Sequence, residues 1–372
     1  MNVEEELGRL SASGNLRSIP ADSSESAVID LSANDYLGLA EDIELRERFL
    51  ADHDARTLLM TSSASRLLAS RQRSFEALER LLADSYGSPV LLFNSGYHAN
   101  TGLVSAIGSA PSTIIIADKL VHASIIDGMR LSGAPFERFR HNDIAHLTRV
   151  LEKHAPAYAN VLIIVESVYS MDGDSAPLAA IAEIRRHWPN SMLYVDEAHA
   201  VGAVGPCGLG LCAAEGLADS VDVLVGTLGK ALASSGAFAV LRGRLREYMV
   251  NRARSLIFST ALPPACADWS ALTWRRSLEA DDLRARLRHL AEELAAAVPG
   301  PSPASHIRPL VVGDPRRAVE LSARLLAEGF KVLPIRTPTV PPGTERLRFS
   351  LSAAIDPADL RRLGRVLASC GL

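Results

Sequence analysis

The chain has 372 residues, of which 48% are hydrophobic and 22% are charged, and its formal net charge is -4. This length allows two or three domains with a large core, and the composition is that of an ordinary globular protein. The slight acidic excess excludes a strongly basic binder of nucleic acid, so any site for an anion must be local.

The cysteines and the amino terminus indicate the compartment. No CxxC spacing occurs among Cys207, Cys212, Cys266 and Cys370, so we expect reduced thiols and no metal site. The first residues are acidic and amphipathic and lack the basic start and apolar core of a signal peptide. No apolar run approaches the roughly 20 residues needed to cross a bilayer. We therefore expect a cytoplasmic protein without a membrane partner.

Residues 1–40 predict a short amphipathic helix and an extended segment. From about residue 73, helical stripes alternate with short apolar runs. The predicted strands are 90–93, 114–116, 161–165, 192–195, 221–225 and 237–241, and helices at 144–153 and 178–187 separate some of them. Continuous apolar runs divided by helices predict an α/β fold with a mostly parallel sheet covered on both faces.

Polar residues follow several of these strands, at the edge where ligands of parallel sheets bind. The segment SGYHAN at 95–100 passes from a strand into a helix, whose free N–H groups suit a phosphate, although a plain turn is the alternative. Hydroxyls and carboxylates follow the strand at 161–165. His122 opens a helix after another strand, either as a capping residue or as a ring that stacks on a flat ligand.

Lys230 lies in the segment GTLGKAL at 226–232, just after an apolar run. Such a lysine either caps a tight turn or forms a Schiff base, if burial or neighbouring charge lowers its pKa. Asp196 ends another apolar run and favours the second interpretation. Pyridoxal phosphate needs a carboxylate beside its ring nitrogen so that the ring can act as an electron sink.

Beyond about residue 265 the pattern changes to helices with charged faces, a Pro-rich linker at 299–303 and a smaller α+β domain. We predict strands at 307–312, 331–335 and 346–351, with helices at 315–328 and from residue 357. Arg336 lies in a prolyl-rich loop that holds a guanidinium in place, as a carboxylate clamp requires, or leaves it idle at the surface. The predicted domains are 1–40, 41–270 and 271–372.

Together these motifs resemble the α-oxoamine synthases, which are fold-type I pyridoxal phosphate enzymes. The resemblance begins near residue 34, and its most specific segments are NDYLGL at 34–39, SMDGDSAPL at 170–178, DEAH at 196–199, GTLGKAL at 226–232 and IRTPTVPPGTERLR at 335–348. It implies a transferase of the aspartate aminotransferase type, with a large sheet domain that binds pyridoxal 5'-phosphate and a smaller α+β carboxyl-terminal domain.

The resemblance also implies roles for individual residues at the cofactor ring. Lys230 would form the Schiff base and act as the catalytic base. Asp196 would pair with the pyridine nitrogen, and His199 would contact the ring hydroxyl oxygen. His122 would stack over the ring, and Ser170 would lie beside it.

Further residues would bind the phosphate and the substrate. The phosphate would be held by Ser95, Gly96, Tyr97 and Thr227, together with Ser259 and Thr260 of a second subunit. The carboxylate of the amino acid would be held by Arg336, with Asn34 and Arg17 nearby. The family therefore implies a homodimer whose active site lies at the interface.

The segment at 335–348 resembles the branch that condenses L-alanine with a pimeloyl thioester of coenzyme A or a carrier protein, releasing carbon dioxide in biotin biosynthesis. Two alternatives stay open: another α-oxoamine synthase that uses a different amino acid or acyl thioester, and a catalytically silent scaffold. The sequence departs from the family at 61–72, where glycines are replaced and Phe75 stands near the place of a histidine, and at 232–236. Because residues with side chains do not freely adopt positive φ, we expect the loop at 61–72 to differ locally.

Overall fold

The structure is a computed structural model that describes residues 2–19, 28–298, 300 and 303–371. Parts of the predicted extended segment and of the predicted linker at 299–303 lie outside these ranges. The chain divides into a larger unit, residues 37–169 and 175–284, and a smaller unit within residues 1–36, 170–174 and 285–372. The predicted division at residues 40 and 270 stays a prediction. Within the described ranges, no helix has the length and apolar character needed to cross a bilayer.

Helices are numbered here in chain order. They are α1 Val3–Ala12, α2 Ile43–Asp52, α3 Arg73–Tyr86, α4 Gly96–Gly108, α5 Ala123–Ser132, α6 Ile144–His154, α7 Leu178–Arg185, α8 Leu211–Ala214, α9 Leu245–Arg252, α10 Arg254–Ile257, α11 Pro264–Leu278, α12 Asp281–Ala297, α13 Pro315–Ala327 and α14 Pro357–Ser369. The chain passes from the larger to the smaller unit within α12.

Strands are numbered in the same way. They are β1 Ile29–Asp30, β2 Val90–Phe93, β3 Thr113–Asp118, β4 Phe136–Phe139, β5 Asn160–Glu166, β6 Ser191–Asp196, β7 Val223–Thr227, β8 Ala237–Leu241, β9 Ile307–Val311, β10 Phe330–Lys331, β11 Leu333–Ile335 and β12 Arg346–Ser350. The predicted strand at 331–335 is divided between β10 and β11.

The larger unit is built on a sheet of seven strands in the order β2-β8-β7-β6-β5-β3-β4. All neighbouring pairs are parallel except those of β8, which runs antiparallel to β2 and β7. The mostly parallel sheet agrees with the prediction. Strand β4 was not predicted, because it is an edge strand in which only Phe139 is buried, so it has no apolar run.

Both faces of this sheet are buried, as continuous apolar strands require. Alternate residues of β3 and β5 point to opposite sides: Ile116 and Ile163 belong to one apolar core, whereas Ile115 and Ile164 belong to the other. The seven strands are therefore held from both sides, and the polar residues at their carboxyl ends sit on a rigid frame.

The smaller unit contains an antiparallel sheet in the order β11-β12-β9 and a parallel pair of β1 with β10. Helices α13 and α14 begin at the N-caps Asp314 and Asp356, each followed by a proline, which already has the helical φ. Both helices bury a leucine-rich face, including Leu321 and Leu363.

Gly173 of the smaller unit allows a close approach of two backbones. Its φ is +70°, and a Cβ atom at this position would lie 2.1 Å from the carbonyl oxygen of Ile307. We expect Gly173→Ala to lower the free energy of unfolding, measured by urea denaturation, by at least about 2 kcal/mol, because left-handed strain and overpacking each cost about 1–3 kcal/mol.

The matched control is Gly216→Ala. Gly216 also has a positive φ, +67°, but an added Cβ would meet no atom within 4 Å. This variant should therefore show only the strain of the left-handed backbone, about 1–2 kcal/mol. Equal losses in the two variants would contradict the steric explanation for Gly173.

Candidate active site

Lys230 and His199 meet beyond the carboxyl ends of two neighbouring strands in the larger unit. Strands β6 and β7 are parallel, with Asp196 opposite Val225, so the residues that follow them reach the same edge. The Nζ of Lys230 lies 2.8 Å from Nε2 of His199. Lys230 is half-buried and His199 is buried. The pair thus presents a lysine amine at the edge where ligands of such sheets bind.

Asp196 is the last residue of β6 and is buried. Its Oδ2 accepts a hydrogen bond of 2.7 Å from the side-chain amide of Asn100, and its Oδ1 accepts one of 2.9 Å from the N–H of Ala198. These two donors fix the orientation of the carboxyl group. Asn100, on α4, was not predicted as a site residue.

His122 is the N-cap of α5 and follows β3. Its backbone N–H donates to the carboxyl of Glu166 at the end of β5, and its Nδ1 lies 2.7 Å from the hydroxyl of Ser124. Burial lowers the pKa of His122 below its usual value, which favours a neutral imidazole. Burial raises the pKa of Glu166 well above its usual range.

The amino terminus of α4 follows β2 and is capped by Ser95, whose hydroxyl accepts a 3.2 Å hydrogen bond from the N–H of His98. Within the described part of the chain, no acceptor lies within hydrogen-bond distance of the backbone N–H groups of Gly96 and Tyr97. Two aligned, unpaired N–H groups at a helix terminus form an anion site.

The pairing of the strands places Thr227 at the same edge of the sheet as Ser95. Thr227 lies opposite Ala237 of β8, which in turn lies opposite Phe93, the last residue of β2. Its hydroxyl donates to the carbonyl of Gly236 at 3.2 Å and accepts from the N–H of Gly229 at 3.3 Å. The hydroxyl is therefore fixed in a turn two strands away from Ser95.

Ser259 and Thr260 belong to the larger unit and pair with the loop at 61–72. Thr260 forms an antiparallel bridge with Ser65, and its carbonyl accepts a 2.5 Å hydrogen bond from the amide of Asn94. The loop at 61–72 therefore lies close to Asn94, which directly precedes the anion site at the amino terminus of α4.

Side-chain contacts hold the loop at 61–72 in place. Arg66 forms a 3.3 Å ion pair with the buried Glu79, and its guanidinium lies 4.7 Å from the ring centre of Phe75. Contrary to the expectation that side chains exclude positive φ, Ser63 has a φ of +49°. Ala233 likewise has a φ of +45° in the second glycine-poor segment. Both residues carry the strain of the left-handed region, about 1–2 kcal/mol each.

Asn34 and Ser170 come together in the smaller unit through Arg348. The Nε of Arg348 donates to the carbonyl of Ser170 at 2.6 Å, and one terminal nitrogen donates to Oδ1 of Asn34 at 3.0 Å. Arg348 is buried. It was part of a predicted motif but was given no role, because an arginine in an alternating strand usually faces solvent.

Arg336 and Arg17 also lie together in the smaller unit. Arg17 donates to the carbonyl of Arg336 at 3.5 Å and to the hydroxyl of Thr339 at 3.2 Å, while Arg336 donates to the carbonyl of Gly14 at 2.6 Å. The Nε of Arg336 is buried and has no acceptor among the described residues. Burial and the positive charge of Arg17 lower the pKa of Arg336. An anion would satisfy both the idle donor and the excess positive charge.

The donor set of the larger unit fits pyridoxal phosphate. It offers a lysine amine paired with an imidazole, a buried carboxylate supplied with donors, a neutral imidazole and free N–H groups at a helix terminus. These groups match a carbonyl, a ring nitrogen, a flat ring and a phosphate, respectively. The fold and the site together define a pyridoxal phosphate enzyme of fold type I.

Comparisons with known proteins agree with this class. A sequence model of the aminotransferase class I and II family matches residues 26–367. The chain is 46% identical over 348 residues to 8-amino-7-oxononanoate synthase of Haemophilus ducreyi, covering 90% of each chain. It is 44% identical over 355 residues to the protein of that name from Chlorobaculum parvum, covering 92% of this chain and 89% of the relative.

Solved structures show the same relationship. A serine palmitoyltransferase of S. paucimobilis with a bound pyridoxal phosphate–myriocin aldimine superposes with a TM-score of 0.90 at 28% identity, covering 99% of this chain and 96% of that one. The 8-amino-7-oxononanoate synthase of Francisella tularensis superposes with a TM-score of 0.79 at 26% identity, covering 93% and 98%. The chain belongs to the aminotransferase class I and II family, as a pyridoxal phosphate-dependent α-oxoamine synthase. The predicted family, fold class and cofactor are thereby confirmed.

Proposed function

We propose that the enzyme condenses L-alanine with a pimeloyl thioester to give 8-amino-7-oxononanoate, carbon dioxide and free thiol in biotin biosynthesis. The names of the relatives support this reaction, at 44–46% identity over about nine-tenths of the chain. The observation that carries the proposal is the 2.8 Å contact of Lys230 with His199 at the end of the sheet that also carries Asp196. The thiol carrier is coenzyme A or an acyl carrier protein.

The larger unit supplies the groups that hold the cofactor. Pyridoxal phosphate, once bound, supplies an electron sink for the negative charge that develops at Cα. Asp196 would lie beside the ring nitrogen, and its two hydrogen-bond donors hold its carboxyl group in a fixed orientation. His122 provides the neutral stacking ring. The N–H groups of Gly96 and Tyr97 bind the phosphate, assisted by Ser95 and Thr227.

Lys230 carries the proton transfers. Its amine would hold the cofactor, and the same Nζ, once free, would accept the Cα proton of the amino acid. His199 lies within hydrogen-bond distance of that nitrogen and orients it. Orientation matters because only a Cα–H bond perpendicular to the cofactor ring is weakened for proton removal.

The smaller unit contains the residues that we propose for binding the amino acid. Arg336 binds the substrate carboxylate. Its buried Nε, which has no acceptor among the described residues, donates to this carboxylate. Arg17 adds positive charge, while Asn34 and Ser170 are held in place by Arg348. Arg348 is a positioning residue in this scheme, since it acts through the other two.

Replacement of Arg336 by lysine tests the carboxylate clamp. We expect the KM for L-alanine to rise about 10- to 100-fold with a smaller change in kcat, because a hydrogen bond to a charged group contributes about 1.5–3 kcal/mol and lysine lacks the planar pair of donors. Steady-state kinetics with varied alanine measure the effect. Arg324→Lys, on the exposed side of α13, is the matched control. An unchanged KM in the Arg336 variant would refute the role.

We further propose that the enzyme is a cytoplasmic homodimer with its active site at the subunit interface. A groove in the larger unit supports this arrangement, since it is flanked by Leu131 and Phe258, whose exposed fractions are 71% and 70%. Ser259 and Thr260 follow Phe258 directly and would reach the phosphate of the partner subunit. The cysteines are free, as in a reducing compartment. Sedimentation velocity should give the dimer mass, and an active monomer would contradict the proposal.

Product analysis tests the reaction itself. The purified enzyme is incubated with alanine, glycine or serine against pimeloyl, shorter and longer acyl thioesters, and the products are identified by mass spectrometry. The proposal expects 8-amino-7-oxononanoate from alanine and pimeloyl-CoA or the pimeloyl carrier protein. A product formed only with another amino acid or another acyl length would identify the enzyme as a different α-oxoamine synthase. The loop at 61–72, which departs from the family, would then be the structural feature to associate with the changed substrate.

A further inference from the structure

Asn100 lies at the centre of a buried hydrogen-bond network in the larger unit. It is one helical turn beyond Gly96 on α4. Its side chain is 2.7 Å from Asp196, 2.9 Å from Ser124 and 2.6 Å from the hydroxyl of Tyr194. Tyr194 and Asp196 are two residues apart on β6, so both point to the same face of the sheet. All four side chains are buried.

The direction of each hydrogen bond follows from the chemistry of the groups. The carboxylate of Asp196 only accepts, so the nitrogen of the Asn100 amide must face it. The amide oxygen then faces Tyr194, whose hydroxyl must donate. Burial raises the pKa of Tyr194 well above its usual value, so this hydroxyl keeps its proton. The second N–H of Asn100 points to the hydroxyl of Ser124.

The network continues to His122. The hydroxyl oxygen of Ser124 accepts from Asn100, so its own hydrogen is available for Nδ1 of His122, 2.7 Å away. The backbone N–H of Ser124 is also directed to this nitrogen, at 3.2 Å. A ring nitrogen that accepts from a backbone N–H carries no proton. The proton of the neutral ring is therefore on Nε2.

We propose that Asn100 is a positioning residue that connects the charge of Asp196 to the tautomer of His122. It orients the Asp196 carboxylate and, through Ser124, holds His122 as a neutral ring with its proton on Nε2. This inference rests on the proposed function only for its effect on catalysis, because the network lies entirely within the described residues of this chain. The network keeps the carboxylate of Asp196 and the neutral imidazole of His122 in fixed positions relative to each other.

The surroundings of His122 are consistent with this state. Glu166 faces it from the end of β5 and accepts the hydrogen bond of its backbone N–H, and burial raises the pKa of this carboxyl. Asp196 and Asp127 favour the protonated ring, whereas Lys230 opposes it. Burial is the largest influence and lowers the pKa of His122. The two donors at Nδ1 act in the same direction, since they stabilise only the ring without a proton there.

Nitrogen-15 NMR of the full-length protein, labelled at its histidine rings, tests the inference before and after addition of pyridoxal phosphate. Loss of a resonance pair in His122→Gln assigns the signals. The wild type should show Nδ1 as an unprotonated acceptor and Nε2 as protonated. In Ser124→Ala, which leaves Asn100 and Asp196 paired, and in Asn100→Ala, the Nδ1 resonance should move towards that of an exchanging or protonated nitrogen. Ser105→Ala, elsewhere on α4, should leave the resonances unchanged.

The outcomes separate this inference from the proposed function, because the measurement does not depend on turnover. A wild-type His122 protonated on Nδ1, or resonances that are unchanged in both variants, would overturn the inference even if the enzyme makes the expected product. A change in Ser124→Ala alone would overturn the role of Asn100. If Asn100→Ala does not fold, Asn100→Leu takes its place, since leucine has a similar size and offers no N–H donor to Asp196 or Ser124.

Discussion

Lys230→Ala is expected to remove the covalent attachment of pyridoxal phosphate and to lower kcat about 100- to 10,000-fold, the range contributed by a positioned acid–base group. In the proposed function the amine of Lys230 is the nucleophile, and the variant also loses the 2.8 Å contact of this amine with His199. Borohydride reduction followed by peptide mass spectrometry measures the attachment. The wild-type peptide that contains Lys230 should carry the reduced cofactor, and the variant should not.

The control for this experiment is Lys153→Ala. Lys153 is exposed on α6, within the last turn of the helix. This variant should keep the reduced cofactor on Lys230 and should keep its activity. Cofactor attached by borohydride to a different peptide, or an active Lys230→Ala enzyme, would show that another residue is the nucleophile.

Asp196→Asn is expected to lower kcat about 100- to 1,000-fold, as does the loss of one fixed electrostatic group in other active sites. The substitution keeps the size of the side chain but removes the negative charge that faces the ring nitrogen. Without that anion the ring is a weaker electron sink, so the step that forms negative charge at Cα slows. Steady-state kinetics at saturating alanine and thioester measure kcat.

The matched variant is Asp219→Asn, whose side chain is 99% exposed. It makes the same chemical change at the surface and should leave kcat unchanged. Binding of pyridoxal phosphate should survive in Asp196→Asn, since Lys230 and the amino terminus of α4 are intact. A kcat of the Asp196 variant close to the wild-type value would mean that the ring nitrogen does not depend on this carboxylate.

The central strands were predictable because each is a short, continuous apolar run between helices. The runs at 161–165 and 192–195 lie within β5 and β6, and the polar residues after them reach the same edge of the sheet. Strand β4 was harder to predict. It is mostly exposed, so it lacks the apolar run that marks a buried strand.

The site residues also differ in whether the sequence alone could predict them. Lys230, Asp196 and His199 could be selected because their position after strands gives them a chemical reason to be there. Asn100 and Arg348 could not, since their importance lies in contacts between distant segments: Asn100 with Asp196, and Arg348 with Asn34 and Ser170. Asn100 is one of several polar residues in α4, so the sequence of the helix alone does not single it out.

The loop at 61–72 shows where a prediction from residue types was incomplete. Loss of glycine predicts a local difference from the family, and the backbone still enters the left-handed region at Ser63. The Arg66 ion pair with Glu79 and its contact with Phe75 hold the segment in place. Such compensation comes from tertiary contacts, which the sequence of the loop alone does not reveal.

The most direct test of the account is the visible absorption spectrum of the purified enzyme with pyridoxal phosphate, recorded before and after L-alanine and then pimeloyl-CoA. The account predicts an absorption band from the cofactor bound to Lys230, a shift of that band with alanine, and a transient band at longer wavelength with the thioester. No band after added cofactor would contradict the assignment of the site, and a band that alanine leaves unmoved would contradict alanine as the substrate.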